Sequence, residues 1–138
     1  MLFRSPVKED GTLGEYEVLH NFYPHRGIDG MCLDSGGNII ACAGSTDTAG
    51  CTSVTNFAAP GRRISSRSYS RQYESGPGPM IYVFAPNGRV LETHPFPGAK
   101  PTNCTFGDDD RQTLYVTGNA RLYRTRTNRS GYLEAPRG

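Results

Sequence analysis

A carboxylate can hold a hard cation, take a proton from water, or close a turn, and this sequence offers candidates for each role. Asp29 opens Asp29-Gly30-Met31. Asp-Gly is a common turn pair, so on the residues alone Asp29 caps a turn ahead of a strand. Asp108-Asp109-Asp110 gathers three carboxylates. Consecutive positions on a strand or turn point different ways, so this run reads as a solvated turn rather than a metal cluster. Asp34 takes the same reading. His20, His25 and His94 are far apart and fit no catalytic signature, although His25 lies just ahead of Asp29 and could approach the same region. No His pair stands at zinc-ligand spacing.

Cys32, Cys42, Cys51 and Cys104 include no Cys-x-x-Cys pair. They read as free thiols packed where their strands are buried, with a Cys42–Cys51 bridge as the open alternative. Asn103 falls at a strand start, where such a side chain commonly satisfies backbone groups; facing a substrate or water is its functional alternative. Asn103-Cys104-Thr105 and Asn128-Arg129-Ser130 match the glycosylation tripeptide, which is common by chance. Gly61-Arg62-Arg63-Ile64-Ser65-Ser66-Arg67-Ser68-Tyr69-Ser70-Arg71 could grip phosphate through several arginines. Only Tyr69 and Tyr73 could offer stacking there, and a solvated loop fits better.

The elements that would position these groups are strands. Of the 138 residues 36% are hydrophobic, with 17 Gly and 10 Pro, a composition of many turns and short elements. A net charge of +2 is too weak to imply nucleic acid or an anionic membrane. No stretch has the roughly 18–20 apolar residues of a membrane span, and the first residues lack the apolar centre of a secretion signal. The compartment is left open, with the cytoplasm as default.

Runs rich in β-branched and aromatic residues recur between turn signals. Leu2–Val7 and Glu15–His20 flank Asp10-Gly11; Gly30–Asp34 and Ile39–Ala43 flank Ser35-Gly36-Gly37-Asn38; Met80–Phe84 and Arg89–Thr93 flank Pro86-Asn87-Gly88. Cys104–Gly107, Thr113–Thr117 and Arg121–Thr125 complete the set, and no helical period is visible. The runs also repeat. Asp29–Asp34 followed by Asn38–Cys42 aligns with Asn103–Asp108 followed by Thr113–Thr117. Leu2-Phe3-Arg4-Ser5, Ile81-Tyr82-Val83-Phe84 and Leu122-Tyr123-Arg124-Thr125 read as one strand written three times. With the strands of a unit labelled a to d, the chain runs c–d, a–b–c–d, a–b–c, the pattern of a β-propeller. Residues 44–79 interrupt it as a long insertion in a b–c turn.

Arg26–Asp34, Ile81–Phe84, Lys100–Gly107 and Thr113–Thr117, in this order, resemble the gluconolactonase and regucalcin (senescence marker protein) family, in its carboxy-terminal part. The resemblance implies a six-bladed propeller. It also implies hydrolysis of a sugar lactone with one divalent metal (Ca, Zn, Mg or Mn) at the end of the central channel. It makes Asp29 the metal ligand and general base and gives Asn103 a place against substrate. The family's remaining protein ligands would precede Met1.

The expectation is therefore an all-β partial propeller of about two to two and a half four-stranded blades. Residues 1–24 would be strands c–d of one blade, 25–99 a full blade with the insertion 44–79, and 100–138 strands a–c of the next. Open sheet edges would leave it marginal alone. A misplaced start or a split gene is one account, and a real short product assembling with itself or with a missing amino-terminal half is the other. The function expected is sugar-lactone hydrolysis, with this chain inactive alone. The alternative is a non-catalytic module that binds a protein through its exposed edges.

Overall fold

Strand formation follows the alternation of the sequence. In the computed structural model, which describes residues 1–23, 25–44, 78–98 and 100–133, Ile28–Leu33 alternates half-buried and exposed side chains along its whole length. That is the period of a strand with one covered face. Among the described residues the strands are β1 (Leu2–Arg4), β2 (Glu17–His20), β3 (Ile28–Leu33), β4 (Ile39–Ala43), β5 (Met80–Phe84), β6 (Val90–Pro95), β7 (Pro101–Gly107), β8 (Thr113–Gly118) and β9 (Arg121–Arg126), with no helix. They form three sheets of order β1-β2, β3-β4-β5-β6 and β7-β8-β9, every pairing antiparallel. This is an all-β architecture of successive small sheets. Of the insertion read at 44–79, residues 45–77 lie outside the described residues; they connect β4 to β5, whose ends meet at Ala43 and Met80.

Two cores lie between the sheets. Leu2, Phe22, Ala41, Ala43 and Phe84 are buried between the first and second sheets. Ile40, Cys42, Ile81, Val83, Phe96, Cys104, Leu114 and Val116 are buried between the second and third. β4 serves both, because its alternate residues face opposite sides. Its small Ala41, Cys42 and Ala43 are fully buried, which lets the flanking sheets pack closely. Phe84, also fully buried, stacks on Tyr82 and meets Phe22 edge to face. Burial of one such ring is worth about 1.5–3 kcal/mol.

One expectation is corrected here. Asp34 is not a solvated turn residue: it is 3% exposed. Its Oδ1 accepts from the amides of Gly36 (2.9 Å) and Asn38 (2.8 Å), and its Oδ2 from Asn38 Nδ2 (2.8 Å) and Arg129 (2.9 Å). Arg129 also pairs with Glu92 on β6. Around this pair the segment after β9 returns to the second sheet, with Ser35 N donating to Ser130 O (2.7 Å) and Tyr132 N to Leu33 O (3.0 Å). Burial raises the Asp34 carboxyl, but the hydrogen bonds from Asn38, Arg129 and Gly36 outweigh it and hold the group below the usual carboxylate range. The distant arginine that buries this turn is invisible in the local Ser-Gly-Gly-Asn signal.

Candidate functional site at the start of the inner strands

The first strands of the second and third sheets, β3 and β7, pack against each other. Both carry an irregularity near their start. Between Ile28 and Met31 the register against β4 slips from Ala43 to Ala41, leaving one extra residue on β3. Between Pro101 and Asn103 it slips from Gly118 to Thr117, leaving one extra residue on β7. A bulge re-aims the side chains around it. The β3 bulge takes in Asp29 and Gly30, and the β7 bulge at Thr102 lies directly before Asn103, so each of the two side chains is displayed at a backbone irregularity.

Gly30 is where the two strands come closest. A Cβ there would stand 2.3 Å from Asn103 Oδ1 and 2.7 Å from the Thr102 carbonyl oxygen, so no larger residue fits without displacement. The Asp-Gly pair thus has a reason beyond turn formation, since the glycine admits the neighbouring sheet next to the carboxylate.

Asp29 keeps 41% of its side chain exposed and forms an ion pair with Arg26, the guanidinium lying 2.7 Å from Oδ2. The other Arg26 nitrogen donates to the Gly44 carbonyl at the end of β4 (3.2 Å). Arg26 therefore fixes the carboxylate relative to the sheet edge. Sequence reasoning quoted this arginine within the motif but gave it no role; the signal was its spacing of three residues from Asp29. Asn103 is exposed, and its Oδ1 accepts from the Cys104 amide (2.9 Å). This is the backbone-satisfying role, and it leaves the Asn103 side-chain amide nitrogen outside that bond. Next to it, Thr102, Thr117, Asn119 and Arg121 border an open hollow of about 510 Å³.

Other candidates fall away from this point. Asp108 accepts from Tyr115 OH (2.8 Å) and Asp110 pairs with Arg126, so the triple aspartate is an exposed, self-satisfied turn. His94 bonds Glu92 (2.9 Å), and His20 packs against Phe22 and Phe84. His25 Nδ1 is buried without a partner. Cys32, Cys42 and Cys104 are free thiols. Cys51 and the Arg/Ser run lie outside the described residues.

An oxygen donor such as Asp29 suits a hard divalent cation in type. The set does not suit one, because among the described residues no three His, Cys, Asp or Glu side chains are placed to hold a metal ion, and Asp29 faces a guanidinium. These residues by themselves are not a metal centre. Among them, too, no helix is long and apolar enough to cross a membrane.

Small antiparallel sheets packed in succession, with bulged inner strands that display one carboxylate, define part of a β-propeller. The proteins it resembles carry lactonase names. The family described as "SMP-30/Gluconolactonase/LRE-like region" matches residues 75–120. The 6-deoxy-6-sulfogluconolactonase of Pseudomonas putida is 31% identical over 119 residues, covering 86% of this chain and 31% of that protein. An X-ray structure of a protein put forward as a gluconolactonase superposes with a TM-score of 0.61 at 23% identity, covering 96% of this chain and 33% of the other. The two sequence comparisons liken the chain to gluconolactonase-like proteins, as its motifs imply, and the structural one shows the shared fold. The chain spans about a third of the length of these relatives.

Proposed function

We propose that this chain supplies one side of the active site of a sugar-lactone hydrolase, with Asp29 as its reacting group. The observation that carries the reading is the bulge at Asp29-Gly30, which presents a partly exposed carboxylate already oriented by Arg26. Support comes from the curated relative, whose name gives it a six-carbon sugar lactone bearing a sulfonate.

Lactone hydrolysis needs a water that attacks the ring carbonyl, a base that takes its proton, and cleavage of the ring C–O bond to give a hydroxy acid. Arg26 engages Oδ2 of Asp29, and Oδ1, outside that pair, would take the proton of the attacking water. Asn103, across Gly30, is proposed to contact a substrate hydroxyl through its amide nitrogen. Dependence on one divalent cation (Ca, Zn, Mg or Mn) belongs to the same proposal: Asp29 would be one ligand, and the others would come from outside the described residues. For that reason the chain alone is expected to be inactive.

The test measures hydrolysis of gluconolactone and of its 6-deoxy-6-sulfo analogue, with and without added divalent metal. It compares the chain alone, the chain joined to the remaining blades of a relative, and the joined form carrying Asp29→Asn. Activity in the joined form that falls at least a hundredfold in the variant supports the proposal. A joined, folded form that is inactive, or a variant as active as its parent, removes it.

A second reading, a protein-binding module, is favoured by one observation. Among the described residues the first sheet has two strands, and Phe3, Tyr16 and Val18 on or beside it are 60%, 69% and 47% exposed. Its mark would be a soluble, folded chain without lactonase activity in any assembly.

A further inference from the structure

Three of the cysteines converge in the core between the second and third sheets. Cys32 lies on β3, Cys42 on β4 and Cys104 on β7. The sulfurs of Cys32 and Cys104 are 3.6 Å apart although 72 positions separate them in the chain. The two strands belong to different sheets, so a bond between these sulfurs would join the sheets covalently. A disulfide requires the sulfurs to close by about 1.5 Å. The thiols also differ in access: Cys104 is 6% exposed and Cys42 fully buried, whereas Cys32 is only partly buried. Cys32 is thus the sulfur that a small oxidant reaches first, and Cys104 is the sulfur lying against it.

We propose that Cys32 and Cys104 are an oxidisable pair that forms a reversible staple between the two sheets when a peroxide reaches Cys32. In the first step the Cys32 sulfur attacks a peroxide oxygen. The O–O bond breaks, one water leaves with the thiol proton, and a sulfenic acid is left. In the second step the Cys104 sulfur attacks the Cys32 sulfur. The S–S bond forms, and the hydroxyl leaves as a second water with the Cys104 proton. Two thiols are oxidised by two electrons in total, and one hydrogen peroxide is reduced to two waters.

The thiol environment sets the pace. Cys32 is held well above the ordinary thiol range by its hydrogen bond with Cys104 and by burial. For Cys104 the hydrogen bond with Cys32 acts downward, but the bond with Cys42 and burial outweigh it and push the group up to about 12. The thiolate is the reacting form. The pair therefore stays reduced against mild oxidant at neutral pH and closes faster as pH rises.

The experiment treats the full chain with hydrogen peroxide, blocks the remaining thiols, and digests without reductant on the amino side of aspartates. Asp34 and Asp47 separate the peptides of Cys32, Cys42 and Cys51, and a second cleavage after arginines, at Arg62 and Arg89, parts Cys51 from Cys104, so each linkage to the Cys104 peptide has its own mass. The expected result is a Cys32–Cys104 linked peptide, a fall in titratable thiols to half of the four present, and a rise in the thermal midpoint of about 10 °C that dithiothreitol reverses. Cys104→Ser should abolish the linkage and the rise, and Cys51→Ser should leave both. The mapping on the unaltered chain stands even if a variant folds poorly. A linked Cys42–Cys104 or Cys42–Cys51 peptide, a scrambled mixture, or a Cys32 that stops at sulfinic acid without a linkage would each overturn the proposal.

Discussion

Replacing Asp34 with alanine is expected to be the most damaging single change in the described structure. The carboxylate is 3% exposed and accepts from two backbone amides, the Asn38 side chain and Arg129. Truncation leaves those amides without an acceptor, and each unsatisfied amide costs about 1–3 kcal/mol. It also leaves Arg129 with Glu92 as its remaining carboxylate, and breaking a buried pair costs about 3–5 kcal/mol. The terms overlap, because water enters the turn once the carboxylate is gone. The expected loss is about 3–5 kcal/mol, a large part of the roughly 5–15 kcal/mol that holds a domain folded.

Urea unfolding of parent and variant at neutral pH measures this as a shift in midpoint at unchanged slope. Asp34→Asn keeps an acceptor for the turn but removes the charge, and should lose about half as much. In a double-mutant cycle with Arg129→Ala, the two positions should couple by about 1.5–3 kcal/mol. A loss below about 1 kcal/mol for Asp34→Ala, or strict additivity with Arg129→Ala, would refute the account of this turn as the clasp between the sheets.

Gly30→Ala should destabilise by about 1–3 kcal/mol, because the Thr102 carbonyl oxygen 2.7 Å from the new Cβ is backbone and cannot swing away; a urea midpoint equal to the parent's would contradict the close approach of β3 and β7. Gly88→Ala should cost a similar amount, since Gly88 sits at φ 84° with the Leu19 carbonyl 2.3 Å from a Cβ. Hydrogen exchange should then speed up in β2 before β8, and uniform acceleration would count against it. Acid should act through Asp34 and Glu92, the latter held low by Arg129 and then His94. Their folded values lie below the unfolded ones, so their stabilisation is present above the unfolded carboxylate range near pH 4 and is lost as pH falls through the folded values. A urea midpoint that stays level from pH 6 to pH 3 would exclude this linkage.

The strands were legible because their chemistry is local. Tyr, Val, Ile and Phe alternate between Gly-containing turns, and the runs at Ile39–Ala43, Met80–Phe84 and Thr113–Thr117 differ from the observed strands by no more than a residue at either end. The starts of the inner strands were read late: β3 begins at Ile28 and β7 at Pro101. The Asp29-Gly30 pair there reads as a turn, and a proline that opens a strand resembles a turn residue. Asp34 was misread for a different reason, since its burial depends on Arg129, far along the chain. For the candidate site, the Asp29 motif could be located but not its surroundings. That Gly30 makes room for Asn103, and that Arg26 ties Asp29 to Gly44, are facts of three-dimensional register between strands with no short-range signature.

The meeting of Gly44 and Gly78 has a wider consequence. A Cβ on Gly44 would stand only 1.9 Å from the Gly78 carbonyl oxygen, so residues 45–77 leave and rejoin the hairpin at a single point. Because β4 and β5 hold that point closed, the length of the excursion has little leverage on the register, and closure entropy grows only slowly with length. Such a junction behaves as a docking port for foreign sequence: segments can be exchanged there over evolutionary time, or grafted in the laboratory, while the hairpin stays intact. This port is not isolated from the chemistry, because Arg26 grips the Gly44 carbonyl with one nitrogen and Asp29 with another. Exchanging the excursion is therefore a way to retune the carboxylate without altering any residue of its own strand.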